Sequence, residues 1–175
     1  MEERFHDCEP TLTDEQVIEF CKNGFLIYKA AIPREINEHI MDFLGSHTHV
    51  RLDEILDDEW FVDGLLKNPQ VCGAVRSLLG RNFKLPMWIY DHRKECPDKH
   101  VCGWHRDGGG IVTPRVNYLA LFYYPQDTPK ALGPTGFLPG SHFVNGSRRF
   151  MKHVGKTRSE VLAASPAGTV VITHY

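Results

Sequence analysis

A change of pattern at residue 83 constrains this 175-residue chain more than any other feature. Before it, apolar residues recur at helical spacing between clear helix starts and stops. After it, short runs of aromatic and β-branched residues alternate with glycine and proline. Helices first and strands second is the order of an α+β fold, in which apolar helix faces lie against a sheet or barrel. The length fits a single domain, 1–175, large enough to bury a core.

In the N-terminal half, Thr13-Asp14-Glu15-Gln16 reads as a helix start, with Thr13 as N-cap and Gln16 as its capping-box partner. Asn23-Gly24 ends that helix. Phe25-Leu26-Ile27-Tyr28 is short and apolar throughout, so a buried strand is expected. Pro33 opens a second helix whose inner face is Ile36, Ile40, Met41, Phe43 and Leu44, and Gly45 is expected to stop it. His47 and His49 follow as solvated loop residues. Two more helices are expected over 58–67 and 69–79, the second opening at Asn68-Pro69 and closing at Gly80.

In the C-terminal half, strands are expected at Phe83–Leu85, Met87–Tyr90, Val116–Tyr124, Gly136–Leu138 and Gly168–His174. The last of these ends with no returning strand after it, so its edge is expected to be exposed and prone to pair with something else.

The chemistry sits at Gly103-Trp104-His105-Arg106-Asp107-Gly108-Gly109-Gly110. Residues i and i+2 of an extended strand share a face, so His105 and Asp107 can grip one ion between them while Arg106 points away. An imidazole nitrogen with a carboxylate oxygen suits a mid-series divalent metal, Fe(II) above all, as two ligands of a 2-His-1-carboxylate triad. The plain alternative is a surface His and Asp on a loop. Ten histidines in the chain lean toward metal chemistry. The net charge of -2 gives no reason to expect nucleic acid or an anionic membrane as partner, and no apolar run approaches membrane length. The five cysteines, Cys8, Cys21, Cys72, Cys96 and Cys102, form no CxxC site. They indicate neither a disulfide framework nor a structural zinc, and reduced thiols point to a cytoplasmic setting.

Four segments, in order, carry a resemblance to a known family. They are Leu12–Gln16 with Asn23–Ile27, Trp104–Asp107, Gly133-Pro134-Thr135-Gly136-Phe137-Leu138-Pro139-Gly140-Ser141-His142, and Ala167–Ile172. The chain resembles the phytanoyl-CoA dioxygenase family of Fe(II)- and 2-oxoglutarate-dependent oxygenases over nearly its whole length. The resemblance implies a double-stranded β-helix, a cupin-like jelly roll with the metal in its mouth and the N-terminal helices packed outside. It implies that His105 and Asp107 hold Fe(II) and that 2-oxoglutarate and O2 take the open face. A C–H bond of a small organic substrate would then be hydroxylated, with the protein placing the substrate and excluding water. By the same resemblance the strand after the metal loop lines the cosubstrate pocket. Asn117 is expected to bond the 2-oxoglutarate carboxylate, with Thr135 a similar case; an inward Asn is otherwise a satisfied polar group.

The chain departs from the family at its end. The family's distal histidine and its 2-oxoglutarate-binding arginine would both fall after Tyr175, so the C-terminal strands are expected to be missing. His174 is short of the distal position by an odd number of residues, which on a strand reverses its face. His142 is expected to hydrogen-bond and brace its turn rather than bind metal. The expectation is a fragment of an oxygenase with little or no turnover. A cupin-like module that binds metal or a small ligand, and an inactive fragment with no ligand, stay open as alternatives.

Overall fold

The computed structural model describes residues 3–93, 104–105, 115–143 and 157–174. It is a mixed α/β arrangement with small antiparallel sheets, and no closed barrel forms among the described residues. A short strand, β1 (Phe5–His6), is followed by α1 (Asp14–Asn23). Thr13 caps α1 as its residue type demands. Its hydroxyl accepts from the Gln16 N–H, and the Gln16 side chain accepts from the Thr13 N–H at 2.9 Å. Two orphan donors are thereby satisfied, worth about 1 kcal/mol. Gly24 closes the helix at φ +82°, in the left-handed region, with its N–H on the Phe20 carbonyl.

After β2 (Phe25–Tyr28), α2 runs Arg34–Ser46. Pro33 is its N-cap rather than its first helical residue, and Gly45 lies inside the helix, which closes at His47. Ile40, Leu44 and the polar Asn37 are buried. The third helical stretch is shorter than its sequence pattern. A single α-turn, α3 (Glu59–Phe61), widens into a π-helix over Val62–Leu66, marked by the Lys67 N–H bonding the Val62 carbonyl at 2.8 Å. Phe61, Val62, Leu65 and Leu66 are all buried there. Next, α4 (Pro69–Leu79) is capped by the Asn68 side chain, which accepts from Gln70 and Val71.

Chain segments close around α4. Phe83–Lys84 forms β3, antiparallel to β1. Residues 87–90 make no full strand; they meet Val50–Leu52 through a single Arg51–Tyr90 bridge. The main sheet is built from β2, β4 (Leu119–Tyr124) and β7 (Thr169–His174) in the order β2-β7-β4, all antiparallel. A second pair, β5 (Gly136–Phe137) with β6 (Val161–Leu162), is also antiparallel.

The final strand is therefore central. The expected open edge is absent because β2 pairs one side of β7 and β4 the other. Thr169–Thr173 are all buried. A strand covered on both faces reads as a continuous apolar run rather than an alternation, which is what Thr169-Val170-Val171-Ile172-Thr173 shows. Val170 and Ile172 join the helix-side core with Leu119, Phe20, Ile40 and Val71. Val171 belongs to the other face, in register with Phe122 of β4, and Phe122 meets Phe137 of β5 edge-on at 5.7 Å. By contrast β2, at the sheet edge, is only half-buried.

Candidate functional site

Register on β7 divides the sheet into two faces. His174, Ile172 and Val170 alternate with Thr173, Val171 and Thr169. The first set, with Tyr123 and Tyr28 opposite Val170, faces the helices. The second set shares its face with Phe25 and Phe122, whose rings lie 5.2 and 5.7 Å from that of Phe137. This second face is where β5 crosses the sheet.

The expected metal segment is described only at Trp104 and His105; Asp107 lies outside the described residues. Trp104 is half-buried against β5. A Cβ on Gly136 would come within 3.0 Å of the indole and 2.7 Å of the Glu160 carboxylate, so the glycine is what lets the ring in. His105, next to it, is exposed. Thr135, immediately before β5, is exposed as well, and its carbonyl accepts from the Ala163 N–H at 2.9 Å. Burial pushes the Tyr124 phenol up. Trp104 thus lies against Gly136, the residue that follows Thr135. Asn117 is exposed, two residues before β4, whose first residue Leu119 stands opposite His174.

His142 and His174 come together at the end of α1. Their ring centroids are 5.2 Å apart. The His142 Nε2 is 2.9 Å from the Cys21 carbonyl, and the Gly140 N–H donates to the Asn23 carbonyl at 3.0 Å. The His174 N–H donates to the Gly24 carbonyl. His142 does brace the Pro-Gly-Ser-His turn, but by tying it to the last turn of α1. A Cβ on Gly24 would lie 2.4 Å from its Nδ1.

The remaining histidines of interest lie apart from this pair. His47 is half-buried, not solvated: it stacks on Phe43 at 3.8 Å, with Nδ1 at 2.6 Å from the Phe43 carbonyl. His49 is exposed. His92 is exposed and 6.2 Å from the Tyr90 ring, and His100 lies outside the described residues.

A different donor cluster has no counterpart in the linear motifs. The ligand atoms of His6, Cys8 and Cys72 all lie within 4.8 Å of one another. Cys72 is buried, and its thiol donates to the Lys67 carbonyl at 3.5 Å. Burial, helped by the neighbouring Cys8 thiol, pushes Cys72 up to about 12. With no cation beside it, the thiol stays protonated at neutral pH. The only trace in sequence is His6-x-Cys8, the same i, i+2 spacing as His105-x-Asp107; Cys72 is too distant in the chain to be linked to it by pattern.

Two cavities, of about 510 and 310 Å³, lie beside Arg4, Leu56 and Lys67 and along β2. Neither is lined by His105, Asn117 or Thr135. No family profile matches the chain, and no curated protein matches it. No helix among the described residues is long and apolar enough to cross a membrane.

Proposed function

We propose that this chain is an Fe(II)- and 2-oxoglutarate-dependent oxygenase that hydroxylates a C–H bond of a small organic substrate, built on a jelly roll. The reading is carried by His105 and Asp107, two apart, followed in order by the Gly133–His142 and Ala167–Ile172 segments. The jelly-roll part is supported by how those later segments pack. The strand from the last segment lies between two antiparallel neighbours, and β5, from the segment before it, crosses one face through Phe137.

The donor set fits iron: imidazole and carboxylate are hard-to-borderline ligands of the kind non-haem Fe(II) takes with open positions. His105 and Asp107 would hold the metal, which when bound supplies the oxidising power for hydroxylation. Exposure of His105 leaves its imidazole within reach of an incoming ion. Thr135 and Asn117 would offer hydroxyl and amide donors to the cosubstrate carboxylates, and Trp104 would wall off water beside the imidazole. No third protein ligand is assigned among the described residues.

Anaerobic titration with Fe(II) and 2-oxoglutarate tests this. A weak visible charge-transfer band is expected, lost in both His105→Ala and Asp107→Ala. Succinate formed on admitting O2 supports the oxygenase. A band without succinate means metal and cosubstrate binding without turnover, which fits an oxygenase site with little or no turnover as well as a cupin-like binding module. A band that survives both substitutions, or none in the unaltered chain, ends the iron-site reading.

A further inference from the structure

We propose that His6, Cys8 and Cys72 form a binding site for a thiophilic d10 cation, Zn(II), which pins the N-terminal segment to α4. This site is independent of the iron reading, since it shares no residue with His105 and Asp107.

The donor chemistry selects the ion. Two sulfurs and one imidazole nitrogen are soft-to-borderline ligands, the set preferred by zinc and disfavoured by magnesium, calcium or an oxygen-seeking iron. Their spacing is close to what a tetrahedral ion needs. With Zn–S near 2.3 Å and Zn–N near 2.0 Å, ligand atoms sit roughly 3.3–3.8 Å apart. The three atoms here already lie within 4.8 Å of one another, so small rotamer adjustments close the site. His6 and Cys8 are half-exposed, which leaves the fourth position to water.

The surroundings hold the donors in place without an ion. Asp7, between His6 and Cys8, bonds Arg76 at 2.6 Å, one turn beyond Cys72 on α4. The Leu85 N–H bonds the Arg4 carbonyl at 2.8 Å, and the His6 ring sits edge-on to Phe83 at 5.7 Å. On the other side, the Thr11 N–H bonds the Gly73 carbonyl at 3.2 Å. Gly73 makes that approach possible, since a Cβ there would lie 2.3 Å from the Thr11 side chain. The ordering cost of assembling a site from residues 6, 8 and 72 has therefore been met by folding. On binding, Cys8 and Cys72 each give their proton to solvent and bind as thiolates, and Cys72 exchanges its bond to the Lys67 carbonyl for a bond to the metal.

Cobalt is the probe. Reduced, chelator-washed chain is titrated with Co(II), then with Zn(II). The expected result is a thiolate-to-cobalt charge-transfer band that saturates at one equivalent and is displaced by zinc. Cys8→Ser and His6→Ala should each weaken zinc binding by at least about tenfold, the lower end of what disturbing even an outer partner of a metal ligand costs. At one zinc concentration, zinc should raise the melting temperature of the unaltered chain and of Cys21→Ser alike, and that of Cys8→Ser by less. Three outcomes overturn the proposal. They are no thiolate band, a band unchanged in Cys8→Ser, or a Cys8–Cys72 disulfide in chain prepared reduced and held with zinc.

Discussion

Gly24 shows how much one position can hold together. It ends α1, immediately precedes β2, accepts the His174 N–H at its carbonyl and lies under the His142 ring. Gly24→Ala would put a Cβ at φ +82°, costing about 1–2 kcal/mol in the left-handed region. It would also drive that Cβ to 2.4 Å from the His142 Nδ1. A loss of about 2–4 kcal/mol in denaturant unfolding is expected, from strain plus overpacking. In a His142→Ala background the same substitution should cost less, because only the backbone part remains. An equal cost in both backgrounds would show that the ring yields freely. The glycine as a helix stop was legible in the sequence, because a C-cap depends on the residue's own backbone. Its neighbour His142 was legible only as a turn brace. The carbonyl it braces against, Cys21, is 121 residues away in the chain, and no local pattern carries such a pairing.

At the level of elements, β7 is the best-protected strand. Both its edges are hydrogen-bonded and both its faces buried. Its amides can exchange only when β2 or β4 leaves, so hydrogen exchange of Val170, Val171 and Ile172 is expected to be the slowest in the sheet and to follow global unfolding. The β2 amides, on an edge strand, should exchange sooner. Equal rates for the two strands would mean that β7 opens locally. The strand itself was readable from its β-branched run. Its place at the centre was not, since Phe25–Tyr28, which flanks it, precedes it by more than a hundred residues. Helices were legible wherever a cap is local, as at Thr13, Asn68 and Gly80. They were misjudged where packing overrides propensity: α2 runs through Gly45, and the stretch expected as one helix over 58–67 widens into a π-turn.

At the scale of the whole molecule, a buried polar link joins the helix layer to the sheet. The Asn37 side chain donates to the Ile32 carbonyl at 3.2 Å and accepts from the Tyr123 hydroxyl at 2.5 Å. Burial pushes the Tyr123 phenol up, so it remains a donor through the physiological range. Asn37→Leu would strand that hydroxyl and the Ile32 carbonyl together. A loss of about 1–3 kcal/mol is expected for each polar group left buried and unsatisfied. Helical and tyrosine signals should still melt in one transition, because the apolar core spans both layers. Two separate transitions in the unaltered chain would refute that shared core.

The order of helices and strands, the caps of α1 and α4, and the His105-x-Asp107 pair come from the chain alone, because each rests on neighbours within a few residues. Tertiary structure alone decided that the last strand is central and that His142 meets His174 across the end of α1. It alone brought Cys72 beside His6 and Cys8. Each of these joins residues that only burial of a common core brings together, and spacing along the chain holds no record of that.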